Sequence, residues 1–295
     1  MDVFTRRRAR YLWQRRRLLL GLLTSGALLT GCTPTRLVDA LTPEGGYARD
    51  RDIAYGDRPR QRLDIYRPAA DTNGPIVVFF YGGSWRTGGK GGYRFVGEQL
   101  TRHGITVVVP DYRLYPEVAF PAFVEDGAQA LRWVQDNLAT NGGGERRVFV
   151  MGHSAGAHIA ALLALDRRYG AVAGVKPGTI AGLVGISGPY DFLPLTSPRT
   201  RAVFGPLADD PVILPMTFAG AAAPPALLIH GGTDRTVYPR NSENLAGALL
   251  RSGVPVRLAL YDDRGHVDIM LGLSSALDSD GRLMGDLLEF MAVRR

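Results

Sequence analysis

Short apolar runs alternate with longer amphipathic stretches along most of this chain. Ile76–Phe80 and residues 105–110, 147–152, 180–186, 226–230 and 256–261 are aliphatic blocks of strand length, the pattern of strands buried on both faces. Between them, Phe120–Leu138, Ala155–Arg168, Asn241–Arg251 and Arg282–Val293 carry helical patterns. Arg51–Tyr55 and Arg62–Tyr66, around Gly56-Asp57, predict an entry hairpin. This alternation predicts an α/β fold, a mostly parallel sheet of about eight strands with helices on both faces. Residues 188–224 break the rhythm with a run of prolines, among them Pro189, Pro194, Pro198, Pro206, Pro211 and Pro215, and with Tyr190, Phe192, Leu193, Phe204, Met216 and Phe218. Their place after a strand predicts a short lid, and their small number predicts a shallow pocket.

The N-terminus has a different character. Seven arginines lie between Arg6 and Arg17, and an apolar run follows from Leu18 to Leu29, ending in Leu29-Thr30-Gly31-Cys32. At about a dozen residues the run is too short to span a bilayer, which takes roughly twenty. It resembles a bacterial lipoprotein signal, with Cys32 at the position that receives lipid. The expected organisation is a signal at 1–31, a lipidated tether at 32–50 and one domain at 51–295. Arg15-Arg16-Arg17 fits twin-arginine export only loosely. The expected location is the bacterial cell envelope, and Thr33 after Cys32 favours the periplasmic face of the outer membrane.

That reading changes the meaning of the charge. The chain is formally +7, from 35 basic and 28 acidic side chains. Without the seven arginines and Asp2 of residues 1–31, 28 basic face 27 acidic. The basic balance therefore belongs to the signal and gives no support for nucleic-acid binding. Cys32 is the only cysteine, which excludes internal disulfides and cysteine-based metal sites. The chemistry proposed below requires no metal and no organic cofactor.

Gly152-His153-Ser154-Ala155-Gly156 follows the apolar strand ending at Met151 and opens an apolar helical stretch. G-x-S-x-G in that context is a nucleophile elbow: a sharp turn lifts the serine Oγ above the sheet, and the glycines let strand and helix crowd together. Of five histidines, His266 stands in a loop after the strand 256–261, at the edge where parallel sheets place their chemistry. It is the candidate base. His153 reads as a neighbour pointing away from the serine, His158 as packing or capping, His103 as a solvated helix-end residue and His230 as structural. Asp234, in Gly231-Gly232-Thr233-Asp234, supplies the acid in the chain order Ser…Asp…His; Asp262 and Asp263 are too close to His266 in sequence to reach its ring easily. Tyr81-Gly82-Gly83-Ser84-Trp85 places glycines at a strand end, where bare N–H groups can face a substrate. The Ala155 N–H completes the donor set, with Gly82/Gly83 or Gly83/Ser84 as partners and the second pair favoured. Thr87-Gly88-Gly89-Lys90 mimics a phosphate loop, but the spacing fails and Gly91 replaces the Ser or Thr of that motif.

These parts resemble the α/β-hydrolase superfamily, in particular the esterase/lipase branch with hormone-sensitive-lipase-like carboxylesterases. The resemblance runs from about residue 50 to the C-terminus and includes Asp111-Tyr112-Arg113-Leu114-Tyr115-Pro116-Glu117, similar to that branch's D-Y-R-L-x-P-E segment. It implies that Asp111 and Arg113 brace the loop under the oxyanion turn. One departure stands out: the branch begins its oxyanion motif with histidine, here Tyr81. The expected activity is that of a serine carboxylesterase acting on a small-molecule ester with short- to medium-chain acyl groups. Alternatives are an arylformamidase or amidase on the same machinery, or a non-catalytic lipid-anchored binding protein. Trp85, Tyr115 and Tyr190 are candidate pocket walls.

Overall fold

Eight strands form one sheet: β1 (Tyr47–Ala54), β2 (Arg62–Pro68), β3 (Ile76–Phe80), β4 (Thr106–Pro110), β5 (Val148–His153), β6 (Ile180–Ile186), β7 (Ala226–Gly231) and β8 (Val256–Tyr261). Their order is β1-β2-β4-β3-β5-β6-β7-β8. The structure is a computed structural model describing residues 34–292 except 71–72, 140–145, 276 and 278–280. The signal expected at 1–31 and Cys32 lie outside the described residues. β1/β2 and β2/β4 pair antiparallel, and every other neighbouring pair is parallel.

Nine described helices accompany the sheet: α1 (Pro34–Leu41), α2 (Arg94–Thr101), α3 (Ala122–Val134), α4 (Ala155–Leu165), α5 (Arg167–Ala173), α6 (Pro198–Phe204), α7 (Arg240–Arg251), α8 (Asp268–Leu271) and α9 (Arg282–Ala292). Alternate residues of the central strands serve opposite faces. Phe79 meets Tyr93 at the head of α2, with ring centroids 5.5 Å apart, whereas Phe80 lies against Gly127 of α3. Phe149 shares the Phe79 face and meets Phe290 of α9. β3, β4 and β5 are buried along their whole length, which is why they read as unbroken apolar runs.

Two expectations change. The helix expected over 155–168 breaks at Asp166, whose carboxylate accepts from the Arg168 N–H and caps α5. The tether expected at 32–50 is folded from residue 34 onward. α1 buries Val38, and the Asp39 carboxylate accepts from the Phe95 N–H in the first turn of α2 (3.2 Å). Arg94 donates to the Asp39 and Thr42 carbonyls, and the Tyr93 hydroxyl bonds both the Thr35 side chain and the Gly82 backbone. β1 follows at Tyr47, where Arg49 pairs with the buried Asp64 of β2 (2.7 Å).

From β3 the chain crosses to β4 on one side, while β5 flanks β3 on the other. The crevice between the carboxyl ends of β3 and β5 is thus a topological switch point, the usual place for a site in an open α/β sheet.

Candidate active site

Ser154 occupies the turn between β5 and α4 with φ 54° and ψ −124°, a conformation L-residues adopt only under constraint. Its N–H donates to the Ile186 carbonyl (2.9 Å). The crossing is so close that a Cβ on Gly152 would lie 2.3 Å from the Gly156 carbonyl oxygen. One on Gly156 would lie 2.1 Å from that of Phe80. Side chains cannot enter there, so the pattern around the serine is a packing requirement.

The loop after β8 returns over the sheet and brings His266 Nε2 to 2.9 Å from Ser154 Oγ. His266 Nδ1 lies 2.6 Å from Asp234 Oδ2, so the ring donates to the carboxylate at Nδ1 and offers Nε2 to the hydroxyl. The other Asp234 oxygen accepts from the Thr236 and Val237 N–H groups (2.8 and 2.9 Å). Burial pushes the Asp234 pKa up, but hydrogen bonds from His230, His266 and Val237 outweigh it and hold the carboxyl well below its usual range. His230 is fully buried beneath this loop. Its Nε2 donates to the Val237 carbonyl (2.8 Å) and its Nδ1 accepts from Ser242 (2.7 Å).

The turn after β3 is also strained. Gly83, Ser84 and Trp85 have φ of 130°, 53° and 58°, and Gly83 closes the turn by accepting at its carbonyl from the Arg86 and Thr87 N–H groups. Among the described residues, none accepts from the N–H groups of Gly83, Ser84 or Ala155. Tyr81 is a buried anchor beneath the turn. Its ring stacks between Tyr93 and Tyr112 (5.5 and 4.7 Å), and its hydroxyl donates to Asp111 Oδ1 (2.7 Å). That same oxygen accepts from the Lys90 N–H (2.8 Å), so Asp111 ties both ends of the turn. Arg113 acts one step away: it pairs in a two-pronged bridge with the fully buried Asp126, fastening the 111–116 loop to α3.

A cleft of about 470 Å³ opens over Ser154, lined by Ser84, Trp85, Ala155, Phe192, Leu193 and the polar rim around Thr236. Trp85 forms its floor, packed against His158 and Phe204 at centroid distances of 5.1 Å. The other two expected walls are elsewhere. Tyr115 donates its N–H to the Trp85 carbonyl (2.8 Å) and lays its ring under the Arg86 guanidinium, outside the cleft. Tyr190 is fully buried against Gly185 and Gly188, because its own neighbours are glycines and its ring fills the space they leave. Of the segment 188–224, residues between Pro189 and Thr200 line one side of the cleft. His158 holds that segment down by donating Nε2–H to the Ile213 carbonyl (2.8 Å). Sequence reasoning missed Asn241, whose carboxamide oxygen accepts from the Tyr190 and Asp191 N–H groups and anchors the start of the 188–224 segment.

Sheet order, elbow and cleft together define an α/β-hydrolase of the esterase/lipase branch. A family model described as BD-FAE matches residues 63–249, and the chain belongs to that family. It is 33% identical over 244 residues to a rice protein named probable isoprenylcysteine alpha-carbonyl methylesterase ICMEL1, covering 75% of this chain and 57% of that protein. It is 31% identical over 262 residues to the probable carboxylic ester hydrolase LipM of Mycobacterium tuberculosis, covering 78% and 58%. The chain thus spans a little over half the length of the curated relatives it matches. Among solved structures, an inhibited esterase B from Lactobacillus rhamnosis superposes with TM-score 0.75 at 20% identity, covering 94% of each chain. A truncated carbohydrate esterase from gut microbiota gives 0.70 at 20%, covering 86% of this chain and 99% of that one.

Two buried imidazoles make the fold acid-sensitive. Burial, with the charge of His266 next in order, lowers the His153 pKa to about 3, and burial lowers that of His158 to about 4, against an ordinary 6.5. The unfolded chain therefore binds more protons than the folded one below about pH 6.5, so stability falls on acidification through that window. Asp234, shifted downward, adds its own loss only below its unfolded value of 3.8. The melting temperature should hold steady above pH 7 and drop progressively from pH 6.5 to 4. A flat profile across that range, measured by scanning calorimetry, would contradict neutral burial of these rings.

Proposed function

We propose that the chain is a serine carboxylesterase cleaving short- to medium-chain acyl esters of small molecules. The observation that carries this reading is the unbroken line from Ser154 Oγ through both His266 nitrogens to Asp234. His266 Nε2 takes the Ser154 proton as Oγ attacks the ester carbonyl, and Asp234 stabilises the resulting imidazolium. The oxyanion is held by the unengaged N–H groups of Ser84 and Ala155, with Gly83 beside them. Collapse breaks the C–O bond to the alcohol, which leaves with the proton from His266. Water, deprotonated by the same ring, then releases the acid and restores Ser154. The names of the curated relatives support ester hydrolysis. The aromatic floor at Trp85 and the modest cleft support short acyl groups, and the polar rim at Thr196, Thr236 and Arg240 suits an alcohol half that carries hydroxyls.

We also propose that Cys32 is lipidated and holds the enzyme in the bacterial cell envelope, on the periplasmic face of the outer membrane. α1 begins two residues later and is fastened beside the oxyanion turn, so an anchor at Cys32 stands close in sequence to the folded domain.

With the full chain, turnover of p-nitrophenyl esters should fall from acetate and butyrate through octanoate to palmitate. Ser154→Ala should lose roughly 10⁴-fold or more in kcat. Equal rates for wild type and variant would refute the serine mechanism, and faster cleavage of an amide than of its matched ester would favour an amidase. Trp85→Ala should open the floor towards His158 and Phe204 and move the preference to longer acyl chains; an unchanged profile would remove Trp85 from the pocket. Cys32→Ser should move the protein from the membrane pellet to the soluble fraction and abolish the lipid mass increment. Retention in the pellet would contradict the anchor.

A further inference from the structure

His153 closes β5 immediately before the nucleophile, and its side chain turns onto the face opposite α4. There it is nearly buried, at 7% exposure. Its Nε2 lies 2.9 Å from the backbone carbonyl of His266, and the two rings sit 4.9 Å apart, centroid to centroid. A carbonyl only accepts, so Nε2 carries the hydrogen and the neutral ring leaves Nδ1 bare. That bare nitrogen lies 3.1 Å from where a Cβ on Gly82 would stand. One imidazole thus fills the space between the oxyanion turn and the loop that carries the base.

We propose that His153 is a positioning residue that pins the His266 loop in register with Ser154; the role rests on the serine mechanism proposed above. The loop needs such a pin. β8 lies three strands from β5, roughly 14 Å at the usual strand spacing, and His266 comes only five residues after Tyr261. On the way back the loop runs over the surface, and Val267, next to His266, is 38% exposed. Thr233 holds it at Arg264, with its N–H and hydroxyl both donating to the Arg264 carbonyl (3.1 and 2.8 Å). Two residues further on, the His153 bond fastens the backbone of the base itself, from beneath, in a site shielded from water. The bonds from the His266 ring to Ser154 and Asp234 orient the imidazole. The bond from His153 fixes the point from which that ring hangs. A reacting group misplaced by about 1 Å can cost roughly 100-fold in rate, so this anchor acts on the chemical step and not on substrate binding.

The test compares His153→Leu, His153→Gln and His153→Asn in the full chain with p-nitrophenyl butyrate. Glutamine carries a neutral N–H donor near the reach of the imidazole Nε2; asparagine has the same amide on a shorter stem that falls short of the His266 carbonyl. His153→Leu and His153→Asn should each lower kcat roughly 10- to 100-fold with KM within about twofold, and slow the first-turnover burst of p-nitrophenol in parallel. His153→Gln should stay within about threefold of wild type. The Asn and Gln pair keeps the test decisive even if His153→Leu fails to fold. Equal kcat values for Gln and Asn, or a change confined to KM, would overturn the positioning role. Full activity in Ser154→Ala would instead overturn the underlying mechanism, a separate result.

Discussion

Between β5, α4 and the end of β3 there is no room for a side chain. The backbone of α4 passes so close to the Phe80 carbonyl that a single methyl at Gly156 would collide with it, and Gly152 meets α4 just as tightly. This crossing forces Ser154 into its positive-φ turn and points its Oγ out of the sheet. Everything else is arranged around that fixed point. The Gly83–Trp85 turn leaves the strand beside it, residues between Pro189 and Thr200 line the cleft over it, and His266 is carried to it from the far edge of the sheet.

The supports under these loops are polar and buried or half-buried. Asp111 gathers the Tyr81 hydroxyl and the Lys90 N–H, Asp126 takes Arg113, and His230 lies beneath Asp234. Each group is satisfied by partners from other elements, so each loop is held to the body of the fold instead of to itself. Buried polar groups without partners are costly, and that cost makes these loop positions specific. His153 and His158 follow the same logic with neutral rings, each donating to a backbone carbonyl, one at His266 and one at Ile213.

How much of this was legible in the sequence follows from where the signal is local. Buried strands and the elbow announce themselves because a strand needs a run of apolar residues and the turn needs two glycines around a serine. His266 and Asp234, which the structure brings together with Ser154, stand out in the sequence by their positions after strands, since parallel sheets place loops at one edge. The fold of residues 34–50 was not legible. α1 is a single amphipathic face whose partner, the Tyr93–Phe95 turn, lies over fifty residues away. Asp166 concealed a helix break because a mid-pattern aspartate reads equally as a solvated residue or a cap. Tyr115 and Tyr190 were misplaced for a related reason: aromatic residues near a site read alike whether they wall a cleft or fill the core. The close glycines at 185 and 188 that decide for the core reveal themselves only in three dimensions. His153 was read as a bystander because strand alternation turns it away from Ser154, and only the returning loop brings His266 to it.

The central claim is that Ser154 is the attacking atom. Its most direct test is to treat the full chain with a p-nitrophenyl alkylphosphonate, measure the intact mass and map the modified peptide. The account predicts one adduct per chain, on Ser154, with complete loss of esterase activity. An unmodified protein that hydrolyses esters, or an adduct on any other residue, would contradict it.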